Sequence, residues 1–270
     1  MMSIAQIEIK ISVKIKKGLE NSKQLIVSSH ERSGTHYLMN SIDFCFNHYS
    51  SKNFINLDYS PLGSIVNFHS PASLSKFFDD LYLNKNLSII KNHFHANFFK
   101  NINDDTKNKI HFIYIYRNFI DCLKSFWIYL NSTSIFEGPK INIFSKFCFS
   151  NPIGQLTRYN YQHCKNFIER YIYNLNSWIE FSKKNKVLFI NFESLKEDHP
   201  NNIKKISNLI DINNINSTDY ERDNYFEVKS NKSEELIFDK ENINEIIEVF
   251  QSILKQNNIK NKIFEDVINN

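Results

Sequence analysis

Arg32-Ser33-Gly34-Thr35 sets a cation, two hydroxyls and one of only five glycines side by side in a chain of 270 residues. The short apolar run Gln24–Ser29 precedes it and a helical pattern follows. That order suits an anion cradle. Amides at a helix start lack partners and point outward, the helix dipole favours negative charge, and glycine lets backbone approach closely. Arg32 adds a full charge. The same residues also describe a plain strand-to-helix turn, with Gly34 for geometry and Arg32 solvated. The stretch lacks GxxxxGK[ST], and with it the lysine and magnesium-binding hydroxyl of the usual nucleotide triphosphate loop.

Two further constellations end apolar runs. "LSIIKNHFH" (87–95) closes on Lys91, His93 and His95, which alternation puts on one face. A histidine there suits a general base. His93 and His95 are also a candidate metal pair, although no third ligand is visible, so no metal is expected. A structural histidine is the plain alternative. "KIHFIYIY" (109–116) is followed by Arg117, with Ser125 eight residues on. The carboxyl end of a buried strand is where α/β sheets bind ligands. Ser125, about two helical turns along, reaches only a ligand lying along that helix. In the plain reading Arg117 pairs with a carboxylate and Ser125 is exposed.

These residues need a frame. "QLIVSS" (24–29), the 87–95 run, 109–116 and "KVLFINF" (186–192) read as four buried strands. Leu38, Ile42, Cys45 and Phe46 share one helix face after the first. Asn118 caps the helix after the third, with Asp121 at its third position. That helix buries Phe119, Leu123, Phe126, Trp127 and Leu130. Helices also read over 201–210 and 239–254. The expectation is one α/β domain over 1–270, a central parallel sheet flanked by helices with a P-loop-like turn after its first strand. Residues 1–22 form an N-terminal extension, in which 7–15 alternates as a strand would while Ile7, Ile11 and Ile15 stand at helical spacing, and is read as a basic amphipathic helix rather than a strand. The aromatic, Pro- and Gly-bearing stretch of about 131–160 reads as a loop covering the substrate.

Bulk composition narrows the classes. A net charge of +4 with no dense Lys/Arg run gives no case for a nucleic-acid partner. No apolar stretch is long enough for a transmembrane segment, and the first residues lack the apolar core and cleavage site of a secretory signal. Cys45, Cys122, Cys148 and Cys164 show no CxxC or zinc spacing and are expected as reduced thiols in a cytoplasmic protein.

Taken together, "SHERSGTHYL", "IKNHFH" and "YIYRNFIDCLKSFW" resemble, in this order, the 5′-phosphosulfate loop, the catalytic-histidine strand and the 3′-phosphate segment of sulfotransferases that use 3′-phosphoadenosine 5′-phosphosulfate (PAPS). "VLFINFESLKEDHPNNIKKISNLIDI" (187–212) is similar to that family's next strand, turn and helix. The resemblance covers roughly residues 24 to 254.

The resemblance implies roles residue by residue. The family loop is commonly P-K-S-G-T-T-W. Arg32 stands in its lysine's place at the bridging oxygen, Ser33, Gly34, Thr35 and His36 around the 5′-phosphate, and Tyr37 near the adenine. Lys91 and His93 match K-T-H, making His93 the general base and Lys91 a charge near the transferring group. Arg117 and Ser125 match the pair that grips the 3′-phosphate. Phe192 and Ser194 depart from the family's tyrosine and aspartate. The family's C-terminal R-K-G clamp is poorly matched, with only Lys229 and Lys232 near its place. The implied activity is sulfuryl transfer from PAPS, without metal, to a hydroxyl or amine on a small-molecule, glycan or lipid acceptor. An ATP-dependent small-molecule kinase on a similar fold and a degenerate nucleotide-binding protein are the alternatives.

Overall fold

A computed structural model describes residues 24–46, 55–56, 74–79, 89–133, 137–212 and 236–269. The expected helix at 7–15, and Lys229 and Lys232, lie outside the described residues.

Five parallel strands form one sheet in the order β2-β3-β1-β4-β5. They are β1 (Gln24–Ser29), β2 (Ile55–Asn56), β3 (Ile89–Asn92), β4 (Ile110–Tyr116) and β5 (Val187–Asn191). Among the described residues, besides a helical segment at 74–79, the helices in chain order are α1 (Thr35–Cys45), α2 (Asp104–Lys107), α3 (Phe119–Ser132), α4 (Phe144–Phe149), α5 (Phe167–Ser182), α6 (Phe192–Glu197), α7 (His199–Ile210), α8 (Ile243–Gln256) and α9 (Lys262–Asn269). Short 3₁₀ turns lie at Ala96–Phe99, Gln155–Tyr159 and Lys240–Asn242.

The period of two along β1 sorts its side chains between two cores. Leu25 and Val27 pack with Ile113 and Ile115 of β4 and with Leu38 and Ile42 of α1 and Ile203 and Ile206 of α7. Ile26 faces the other way, into a larger cluster with Ile90, Phe112, Trp127 and Trp178. Each fully buried aliphatic side chain of β1 contributes about 1.5–3 kcal/mol. The result is a sheet with helices on both faces, as the buried apolar runs predict.

Register decides where the site lies. Ser28 is opposite Asn92 of β3 and Tyr114 of β4, and Tyr116 is opposite Asn191 of β5. The turns after β1, β3, β4 and β5 therefore emerge at one edge of the sheet. These turns begin at residues 30, 93, 117 and 192, and they carry the four sequence patches.

Several elements differ from expectation. Strand β3 stops at Asn92 rather than running to residue 95. The Asn92 side-chain oxygen accepts a hydrogen bond from the Phe94 amide at 3.1 Å, a local turn that bends the chain out of the sheet. The alternation invoked for Lys91, His93 and His95 ends with it. Strand β5 stops at Asn191, whose side chain caps α6 by accepting from the Ser194 amide at 2.7 Å. Within the proposed cover, residues 137–160 contain helix α4 and a 3₁₀ turn, and Phe144, Phe147, Leu156 and Tyr159 are core residues. Helix α5 is an addition to the expected elements. Asn118 does cap α3, accepting from the Asp121 amide at 3.0 Å. All four cysteines are buried and unpaired. Among the described residues, no helix is long and apolar enough to cross a membrane.

Candidate functional site

The turn after β1 is built around two positive φ angles. Gly34 caps α1 at φ 95°, and Arg32 takes φ 67°, a left-handed conformation that costs a non-glycine residue about 1–2 kcal/mol. A Cβ on Gly34 would collide with the Phe192 ring of α6. Glycine is thus required here twice, by backbone angle and by space. Helix geometry leaves the first-turn amides of α1 without intrahelical acceptors, and the N-cap, Gly34, has no side chain to cap them.

The hydroxyls beside Gly34 turn inward. Ser33 Oγ lies 3.3 Å from the Cys122 thiol, and Thr35 Oγ1 lies 2.6 Å from Ser29 Oγ. Arg32 points the opposite way. Its Nε donates to Ser125 Oγ at 3.2 Å and its guanidinium sits 5.2 Å from the Tyr129 ring centre. Loop and α3 thus meet through Arg32 and Ser125. Tyr37 packs edge-on to Phe192 and to His199. His36 is half-buried beside it.

Arg117, at the end of β4, completes this cluster. Its guanidinium lies 4.9 Å over the Phe192 ring, and Nη1 donates to the Arg32 carbonyl at 3.5 Å. Its carboxylate neighbours are longer contacts, 3.7 Å to Asp121 and 3.8 Å to Glu193. Arg117 Nε is buried and makes no hydrogen bond.

His93 follows β3. Its Nδ1 lies 3.0 Å from the Ser29 carbonyl and 3.1 Å from Ser29 Oγ. A carbonyl only accepts, so Nδ1 carries the proton, and the neutral ring has its lone pair on Nε2. Tyr159 packs edge-on to this ring. Lys91 is buried in β3. His95 goes elsewhere. It caps the following 3₁₀ turn by accepting from the Asn97 amide at 3.3 Å, and it stacks on Tyr161. Burial, with Lys100 adding to it, pushes its pKa down to about 4. Among the described residues, no group of three or more His, Cys, Asp or Glu could hold a metal.

Sequence reasoning missed what lies beneath the loop. Glu31, buried, takes two hydrogen bonds from Arg170 of α5, at 2.7 Å and 2.5 Å. Arg170 Nη1 also donates to His30 Nε2 at 2.8 Å. Burial opposes ionisation of Glu31, yet the Arg170 charge outweighs it and holds the carboxyl well below the usual carboxylate range. Burial pushes His30 down to about 3, so it stays neutral and its Nδ1 donates to the Glu31 carbonyl. Burial likewise pushes the Cys122 thiol up to about 12. The available signal was Asn166 three residues before Glu169, ahead of Ile168, Ile172, Leu175 and Ile179 at helical spacing. Asn166 does cap α5, accepting from the Glu169 amide at 2.8 Å.

Three comparisons with known proteins bear on this arrangement. No curated protein matches the sequence. Among solved structures, the chain is similar to mouse sulfotransferase SULT7A1 complexed with PAP, at 20% identity and a TM-score of 0.47. That match covers 74% of this chain and 64% of the mouse one, so it takes in less than two thirds of that protein. The model of the sulfotransferase domain matches residues 22–261, a span that holds strands β1 to β5 and all four site-bearing turns. The chain belongs to the sulfotransferase family.

Proposed function

We propose that this protein transfers a sulfuryl group from PAPS to a hydroxyl or amine acceptor, with His93 as the general base. The observation that carries the reading is the seating of His93. Its Nδ1 is tied to the end of β1 at 3.0 Å, and the next residues of that strand lead into the Arg32–Gly34 loop. One edge thus combines a base with its lone pair on Nε2, a helix start that favours anions, and two arginines.

The donor supplies an activated sulfuryl group on a 5′-phosphate. His93 Nε2 takes the acceptor proton as the acceptor atom bonds to sulfur. The bond between sulfur and the bridging oxygen opens, and its electron pair stays with the departing nucleotide. Arg32 and the first-turn amides of α1 stabilise that charge. Lys91 adds positive charge nearby. Ser33, Gly34, Thr35 and His36 form the 5′-phosphate turn, in which Ser33 and Thr35 act through their backbone. Arg117 with Ser125 holds the 3′-phosphate, and Tyr37 lies toward the adenine. No step needs a metal. The logic follows other transfers of charged groups, in which positioning and electrostatics carry most of the rate.

The acceptor side is read from the segment after α4. A cavity of about 260 Å³ is lined by Asn151, Thr157, Asn160, Tyr161, Gln162 and His163 among others. Its Tyr161 stacks on His95, and its Thr157 and Asn160 flank Tyr159, which packs on His93. Amides, a hydroxyl and an exposed ring suit an uncharged hydroxylated acceptor, whether small molecule, glycan or lipid. Residues 137–160 form the wall on that side. Four unpaired cysteines support a cytoplasmic setting.

The test is a calorimetric titration with PAP, the donor's product 3′-phosphoadenosine 5′-phosphate, beside ADP and ATP-Mg²⁺. Tight binding of the 3′-phosphorylated nucleotide alone is expected. Preference for ATP-Mg²⁺ would favour a kinase, and no binding at all would mark a degenerate site.

A further inference from the structure

Helix α5 belongs to none of the four motif patches, yet it reaches three of the turns that carry them. Arg170 donates to Glu31, the residue before Arg32, at 2.7 Å. Tyr171 donates its hydroxyl to the Arg117 carbonyl at 2.7 Å. Asn174 donates its amide to the His93 carbonyl at 3.0 Å and accepts from the Tyr114 hydroxyl at 2.7 Å. Ser177 accepts from the Ala96 amide at 2.9 Å, and the Trp178 indole donates to the Phe94 carbonyl at 3.2 Å.

These positions, 170, 171, 174, 177 and 178, fall on one face of a helix, where an apolar stripe is usual. All five side chains are buried, none more than 5% exposed. A buried polar group without a function is a cost, and each of these finds its partner in a site-bearing turn or the strand beside it.

We infer that α5 is the alignment element of the active site, and that Arg170, Tyr171 and Asn174 are positioning residues for the Arg32 loop, Arg117 and His93 respectively. Acting through other residues, they touch no substrate themselves. The assignment rests on the reading of His93 as base and Arg117 as anion grip. Its own content is that three separate turns are held by three separate side chains of one rigid rod.

The experiment uses the full chain and three changes: Tyr171→Phe, Asn174→Leu, and Glu31→Met combined with Arg170→Met. Replacing a buried ion pair by apolar residues of similar volume often keeps stability, so the double variant is expected to fold. Amide hydrogen exchange reads the alignment without any ligand. Each variant is expected to speed exchange chiefly in its own turn: 117–119 for Tyr171→Phe, 93–97 for Asn174→Leu, and 30–35 for the double variant. Function is expected to split in the same way. Tyr171→Phe weakens PAP binding about tenfold with kcat nearly kept. Asn174→Leu lowers kcat at least about tenfold with PAP affinity nearly kept. Uniform loosening of all three turns, or none, would overturn the inference. So would losses that follow melting temperature alone. A wild-type chain that fails to bind PAP would count against the functional reading only, since the exchange pattern would still decide the alignment.

Discussion

Gly34 and Phe192 are fitted to each other: the ring of Phe192 fills the space that a side chain on Gly34 would need. The same ring lies under the Arg117 guanidinium and beside Tyr37. Gly34→Ala is therefore expected to cost about 2–5 kcal/mol, from left-handed strain and overpacking together. Adding Phe192→Ala should relieve the collision and leave the strain. Melting curves of both single variants and of the double check this, the double losing less stability than the two single losses added together.

His93→Ala is expected to lower turnover by about 10²–10⁴-fold while PAP affinity stays nearly unchanged. The imidazole is seated against the end of β1 and Tyr159, whereas the Arg117 guanidinium rests on Phe192. Normal turnover in this variant would remove the general-base assignment. Kinetics with excess donor, alongside calorimetry with PAP, separate the two effects.

Arg117→Ala is expected to cost about 10- to 100-fold in PAP affinity, the worth of one charge-assisted contact. The loss should be far smaller for AMP, which lacks the 3′-phosphate. Equal losses for both nucleotides would assign Arg117 to the 5′ side.

Acid should destabilise the fold from about pH 6.5 down to about 4 through His95 and down to about 3 through His30. Burial holds His30 at about 3 and, with the help of Lys100, His95 at about 4. An unfolded histidine titrates near 6.5. The unfolded chain therefore binds protons first as pH falls, and stability is complete above 6.5 and lost below it. By pH 5 each group removes about 2 kcal/mol. His95→Asn, which keeps a capping side chain, is expected to flatten the fall of melting temperature with pH. An unchanged slope would remove His95 from this account.

Strands and patch order are legible in the sequence because they rest on local signals. Gln24–Ser29 is an unbroken buried run, and Asn118 with Asp121 spells out a helix start. Parallel pairing then carries the four patches to one edge. The features that escape a sequence reading depend on tertiary burial. Helix α5 is rich in aromatic and β-branched residues and asparagine, all of modest helix propensity, and packing on nearly every side stabilises it. Glu31 reads as a surface charge until its partner Arg170, 139 positions away, is in view. The inward turn of Ser33 and Thr35 is hidden for a similar reason. It depends on Cys122 and Ser29, which the local pattern does not bring near. Alternation misplaces His95 because it holds only as far as Asn92, whose side chain ends the strand.

The bonds from α5 to Arg117, His93 and Phe94 end on backbone carbonyls. A carbonyl is the same whatever side chain the residue bears. Residues at these turns can therefore be exchanged without releasing the grip that sets their position. A chain built this way can trial new side chains at the chemical centre one at a time. Substitution there tests chemistry, and substitution in α5 tests geometry.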